Sequence, residues 1–170
     1  MKKFLTAAAA LCIVLFSITV SSAQTNKPKE GDMFRNFTVV QDASDPSSKV
    51  SLSDYVGQGK WVVADFWASW CHWCIKEIPY LQKIYRELPA DKVTVLSIAV
   101  WDKPADTKAA AAKYGVVWAQ IINTGDIASD VYKFGGIPYT VVFNPQGKIA
   151  AIGLRGENLY KFIKLAAGQQ

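Results

Sequence analysis

Cysteine and histidine are scarce in this chain, and the scarcity narrows its chemistry. There are three cysteines and one histidine in 170 residues. Cys12 lies in an apolar N-terminal run that reads as a removable signal, so the mature protein is expected to keep Cys71 and Cys74 alone. A bridge between residues so near in sequence closes too short a loop to staple a fold. That excludes the framework of structural disulfides usual in small exported domains. Structural zinc takes four ligands; two cysteines and His72 fall short, and no metal site is expected. Lysine and arginine outnumber the acids, giving a net charge of +5, but they form no clustered patch, so nucleic acid is not implied. There is no internal repeat and no low-complexity tract. With 51% hydrophobic and 19% charged residues, disorder is excluded outside a short linker. The length allows one domain with a real core, not two.

The long apolar run is confined to the start. Lys2 and Lys3 precede Phe4 to Val20, and Ser21-Ser22-Ala23 offers small residues for cleavage before Gln24. This is the pattern of a secretion signal over residues 1–23. An uncleaved membrane anchor is the rival reading, since the run is near the lower limit for spanning a bilayer. Cys12 follows Leu11 inside the run and not a small residue at its end, which excludes a lipoprotein signal. Removal leaves 17 basic against 14 acidic residues, a net charge of +3. Residues 24–31, polar with Pro28 and Gly31, read as a linker, and residues 32–170 as the domain.

Within the domain, β-formers at Phe34 to Val40 and an apolar pattern at Val50 to Tyr55 flank turn chemistry at Gln41 to Ser48. This predicts an N-terminal hairpin. Trp61 to Trp67 is a continuous apolar run, which suits a central strand buried on both faces. Ile75, Ile78, Leu81, Ile84, Tyr85 and Leu88 fall on one helix face. Pro79 is expected to kink that helix, and Ser69 to cap its start. Strands are predicted over residues 93–100, 116–122, 139–143 and 148–154, and helices over 105–114, 127–134 and 159–167. Alternation implies parallel pairing through helical crossovers, and the turn at Asn144 to Gly147 adds antiparallel strands. The fold class is α/β, a mixed sheet with helices on both faces.

The run Val62-Val63-Ala64-Asp65-Phe66-Trp67-Ala68-Ser69-Trp70-Cys71-His72-Trp73-Cys74 delivers two cysteines from a strand to the start of a helix. Unpaired N–H groups and the positive end of the helix dipole favour a thiolate there. Two intervening residues bring the sulfurs within bonding distance across the first turn. The arrangement is a device for thiol–disulfide exchange. Asp65 is an acid inside an apolar strand, so burial should raise its pKa and suit it to accept a proton. The alternative is an acid hydrogen-bonded to backbone at a strand end. Glu77 lies one turn beyond Cys74, either near the sulfurs or as a solvated charge beside Lys76. A cationic His72 would stabilise the Cys71 thiolate and make the disulfide more oxidising, while Trp73 would add apolar cover.

These residues resemble thioredoxin-fold proteins, and specifically the exported TlpA/ResA-like thiol–disulfide oxidoreductases. Three stretches carry the likeness. They are Asp65 to Cys74 followed by Glu77 and Pro79, Gly136-Ile137-Pro138, and Phe143-Asn144-Pro145-Gln146-Gly147-Lys148-Ile149. The resemblance implies a thioredoxin-like fold with an N-terminal β-hairpin extension. It implies a cis Ile137–Pro138 bond beside the Cys pair, with the Ile137 backbone open to an extended substrate segment. It makes Cys71 the nucleophile and Cys74 the resolving thiol, with Asp65 and Glu77 as proton acceptors that tune them. Trp70, Ile137 and Pro138 would face the substrate, and His72 and Trp73 would tune the redox balance. Relatives usually carry proline before the second cysteine, and many have asparagine in place of Asp65; this chain departs at both points.

No cofactor beyond the Cys71–Cys74 disulfide is implied. Copper-carrying relatives use a wider cysteine spacing and a remote histidine, and no peroxidatic Pro-x-x-x-Thr-x-x-Cys pattern surrounds Cys71. The expected protein is an exported, periplasmic or extracytoplasmic monomer, membrane-anchored only if its signal stays. It would reduce disulfides of protein substrates, apocytochromes among them, and be re-reduced by a membrane electron donor. A disulfide-forming oxidase or isomerase of the same fold, or a Cu(I) carrier, are the alternatives.

Overall fold

The structure, a computed structural model, describes residues 26–168; the expected signal at residues 1–23 lies outside them. A five-stranded sheet runs in the order β5-β4-β3-β6-β7. The strands β3 (Trp61–Trp67), β4 (Val93–Ala99) and β5 (Ala119–Ile121) are parallel, and β6 (Tyr139–Phe143) and β7 (Ile149–Ile152) are antiparallel to their neighbours. Helices α1 (His72–Glu87) and α2 (Pro104–Tyr114) make the parallel crossovers, α3 (Ile127–Tyr132) precedes β6, and α4 (Gly156–Gly168) closes the chain. The hairpin β1 (Thr38–Asp42) and β2 (Asp45–Ser51) forms a separate two-stranded sheet. Among the described residues no helix is long and apolar enough to cross a membrane.

The central strand β3 is buried along nearly its whole length because it is flanked by β4 and β6 and covered on both faces. Side chains alternate across it with period two. Val63 and Trp67 face α1 and α4, in a core with Cys74, Ile78, Leu81, Ile84, Leu159 and Ile163. Val62, Ala64 and Phe66 face the hairpin and α3, in a core with Val39, Leu52, Ala128 and Tyr132. Phe66, Phe134 and Tyr139 form an aromatic stack in that second core, with Phe134 and Tyr139 centroids 4.4 Å apart. Such pairs add about 0.5–1.5 kcal/mol each beyond area burial. They fasten the segment 134–139, and with it the Gly135–Pro138 loop, beneath the end of β3.

Several sequence expectations shift. β2 runs through the Asp-Pro-Ser-Ser stretch expected to be a turn, and the bend itself is confined to residues 43–44. Proline is tolerated there because β2 lies in a two-stranded ribbon with an open edge. Asp42 accepts the Ser44 N–H at 2.9 Å and sets the bend. The segment after β2 is a 3-10 turn, Leu52–Asp54, that buries Leu52. β5 is three residues long, not seven. α1 continues as one helical element through Pro79, whose missing donor falls on the exposed face. Residues 31–32 pair with the edge of β7, Gly31 N–H to the Ile149 carbonyl and Ile149 N–H to the Asp32 carbonyl, both at 2.8 Å.

Candidate active site

The end of β3 delivers the Cys pair. After Trp67 the chain turns through Ala68-Ser69-Trp70, with the Cys71 N–H donating to the Ala68 carbonyl at 3.0 Å. Cys71 is extended (φ −81°, ψ 95°) and is itself the N-cap of α1: its sulfur accepts the Cys74 N–H at 3.2 Å. The cap expected at Ser69 is therefore corrected. Ser69 is two residues too early, and its hydroxyl donates to Asp102 instead, at 2.9 Å. Cys71 and Cys74 form a disulfide with Cα atoms 5.3 Å apart. Cys71 is 5% exposed and Cys74 0%, so the first sulfur is the one a partner can approach.

Asp102, on the loop after β4, gathers this turn. Its carboxylate accepts the Ser69 N–H at 2.7 Å, the Ser69 hydroxyl, the Thr107 hydroxyl at 2.9 Å and the Lys103 N–H at 3.0 Å. Beside it Trp101 holds a left-handed backbone (φ 54°), uncommon for a bulky residue. Its carbonyl accepts the Trp70 indole N–H at 3.1 Å. Trp70 is 60% exposed and Trp73 65%, so two indoles flank Cys71 at the surface. An open cleft of about 400 Å³ lies between Trp70, Trp101, Asp102 and Lys103. The His72 ring packs edge-on against Trp73 at 5.7 Å, and the Lys76 ammonium lies 4.2 Å from the Trp73 ring centroid.

Asp65 shares the α1-facing side of β3 with Val63 and Trp67 by strand alternation. It is buried, and its Oδ1 has no hydrogen-bond partner. Burial chiefly, then the Glu77 carboxylate, push its pKa up to about 7; Arg155 opposes them. The alternative of an acid satisfied at a strand end does not describe it. Glu77 is half-buried and accepts the Gly156 N–H, at the start of α4, at 2.7 Å. It is thus engaged with the neighbouring helix and not a free solvated charge.

The Ile137–Pro138 peptide is cis. The register of β6 on β3 pairs Tyr139 with Phe66 and Thr140 with Asp65, which places Pro138 at the level of the β3 terminus. Ile137 touches both cores and is half-buried. Arg155, on the β7–α4 turn, donates from Nη2 to the Pro138 carbonyl at 2.5 Å. Sequence reasoning named neither Arg155 nor Asp102. Asp102 could have been found from its place just ahead of a Pro-initiated helix. Arg155 carries no local signal, because its partners lie 17 residues back and further.

A Cys-x-x-Cys disulfide at the N-terminus of the helix following a central parallel strand, facing a cis-proline loop and backed by a buried acid, defines a thioredoxin-fold thiol–disulfide oxidoreductase site. The chain belongs to the AhpC/TSA family, whose model matches residues 31–152. It is 29% identical over 123 residues to the thiol-disulfide oxidoreductase ResA of Bacillus subtilis, an alignment covering 72% of this chain and 66% of that protein. The chain thus spans a little under two thirds of that relative's length. Among solved structures, it is similar to a thiol:disulfide interchange protein from Bacteroides sp., at 30% identity and a TM-score of 0.70, covering 82% of this chain and 91% of that one. The thioredoxin domain of a thiol-disulfide oxidoreductase from Bacteroides vulgatus matches at 29% identity and a TM-score of 0.69, over 82% and 98% of the two chains.

Proposed function

We propose that the protein is an exported thiol–disulfide oxidoreductase that reduces disulfides of extracytoplasmic proteins through a Cys71–Cys74 dithiol–disulfide cycle. The observation that carries this is the placement of Cys71. It caps α1 through its own sulfur, is the more accessible of the pair, and stands beside the cis-proline loop.

In the reduced protein the Cys71 thiolate attacks a partner disulfide. A mixed disulfide forms, and the partner's other sulfur leaves as a thiolate. Cys74 gives its proton to Asp65 and attacks the Cys71 sulfur. The partner's second sulfur departs, the internal disulfide returns, and two electrons have passed to the partner. A membrane-bound dithiol donor resets the pair. Trp70, Ile137 and Pro138 face the substrate, whose extended segment pairs with the Ile137 backbone. Glu77 steers the proton affinity of Asp65.

Local charge supports reduction as the direction. Glu77, and Asp65 where it is ionised, place negative charge on the side of α1 and β3 that carries the sulfurs. Negative charge disfavours a thiolate and so favours the disulfide, which makes the dithiol the better reductant. His72 and Lys76, by contrast, rest on the Trp73 ring. The enzyme acts as a monomer with no resident cofactor, and apocytochromes awaiting haem attachment are a fitting substrate class.

The test is a Cys74→Ser variant expressed in its native compartment. Without the resolving thiol, Cys71 should hold partners as mixed disulfides that dithiothreitol releases. Recovery of no thiol-linked partner contradicts the proposal.

A further inference from the structure

Two adjacent residues on the β7–α4 turn reach two different parts of the site. The Gly156 N–H donates to Glu77, one helical turn beyond Cys74, at 2.7 Å. The Arg155 guanidinium donates to the Pro138 carbonyl at 2.5 Å. Gly156 has φ +55°, a conformation L side chains rarely adopt. That local geometry points its N–H at α1 while its neighbour's side chain turns to the proline loop. The sheet order places β7 at the edge beyond β6, so nothing in the strand pairing itself connects this turn to α1. The Gly156–Glu77 hydrogen bond makes that connection, beside the Lys83–Glu157 ion pair at 3.2 Å.

The charges converge on the same place. Glu77 from α1 and Arg155 from the β7–α4 turn both act on Asp65. The strand neighbours of Asp65 are Ser97 on β4 and Thr140 on β6, neither of which titrates near neutral pH. Cys71 and Cys74 do not titrate while bridged, and the His72 ring packs outward on Trp73. Arg155 is thus the cation that opposes burial and Glu77 at Asp65, and the same group grips the loop against which a substrate segment would lie.

We propose that Arg155 is a positioning residue of the exchange reaction, a single guanidinium that holds the Pro138 loop in place and supplies the positive charge that faces Asp65. Substrate docking and proton transfer are thereby linked: a shift of the Pro138 carbonyl moves the charge that governs Asp65. The catalytic consequence rests on the reading of Asp65 as proton acceptor, but the electrostatic one does not.

The test is a carboxyl ¹³C titration of Asp65 in the oxidised protein, comparing wild type, Arg155→Lys and Arg155→Met. Removing an opposing charge should move the Asp65 midpoint upward by about one pH unit, the low end of the range for a nearby charge because Arg155 is exposed. Arg155→Lys should restore most of the midpoint. The Michaelis constant for insulin disulfides should rise several-fold in Arg155→Met. An unmoved Asp65 midpoint, whatever the melting temperature does, overturns the proposal. Should Arg155→Met fail to fold, Arg155→Gln gives the same answer: it keeps a donor for the Pro138 carbonyl but not the charge, so the midpoint should rise as in Arg155→Met, and an unmoved midpoint overturns the proposal. A midpoint that moves while the pH–rate profile stays fixed counts against Asp65 as proton acceptor and not against Arg155.

Discussion

Replacing Asp65 with asparagine should make the protein more stable at pH 8 and leave it nearly unchanged at pH 4. The folded protein holds the Asp65 proton up to about pH 7, while the unfolded chain releases it near 3.8. Between those values the folded state binds the extra proton. Stability therefore falls as pH rises through this window, by about 1.4 kcal/mol per pH unit. Above pH 7 both states are ionised and the loss is complete, at about 4 kcal/mol. Asparagine has nearly the shape of the protonated acid and does not titrate, so it escapes the penalty. Every other ionisable group is shared, and the difference between the two proteins isolates Asp65. Urea denaturation of both, with the disulfide intact, at intervals from pH 4 to 8.5 is the assay. The difference should be within about 1 kcal/mol at pH 4, grow through pH 7, and then plateau. A difference that is the same at pH 4.5 and pH 8 would contradict a buried, proton-holding Asp65, which requires it to change. The same variant should slow resolution of a mixed disulfide by about 10²-fold, the usual contribution of a positioned base.

Asp102→Ala removes one acceptor from four donors. It should cost about 2–3 kcal/mol, read as a lowered urea midpoint at unchanged slope. Gly147→Ala would put a Cβ 2.8 Å from the Phe34 ring at φ +83°, and should destabilise by about 1–3 kcal/mol, seen as a lower melting temperature with exchange activity retained below it. Trp70→Ala removes an exposed indole whose N–H reaches the Trp101 carbonyl. Stability should change by less than about 1 kcal/mol, while the Michaelis constant for a protein disulfide rises and that for a small disulfide such as oxidised glutathione does not.

The strands that matter most were legible because their patterns are extreme. Trp61 to Trp67 has no polar face, apart from one acid, and only a central strand accommodates that. The position of Cys71 at a helix start, and the turn at Asn144 to Gly147, are short-range signals. What was hidden was long-range. Ser69 has the chemistry of an N-cap, yet Asp102, 33 residues on, takes its hydroxyl and leaves the cap to the Cys71 sulfur. The polar stretch that forms β2 looked like a turn because its ribbon buries little and so imposes no apolar alternation. Glu77 could be placed on a helix but not assigned a neighbour, since α4 meets α1 only through the tertiary fold. Arg155 needed both the cis-proline loop and the β7–α4 turn to be in place before its role was visible.

The most direct test of the central claim is the reduction potential of the Cys71–Cys74 pair, measured by equilibration against glutathione or dithiothreitol buffers at pH 7. Two carboxylates and one balancing arginine around a helix-capping sulfur should keep the pair reducing, near the thioredoxin value of about −270 mV. A value above that of protein disulfide isomerase, about −180 mV, would contradict a reductase and make the protein a donor of disulfides.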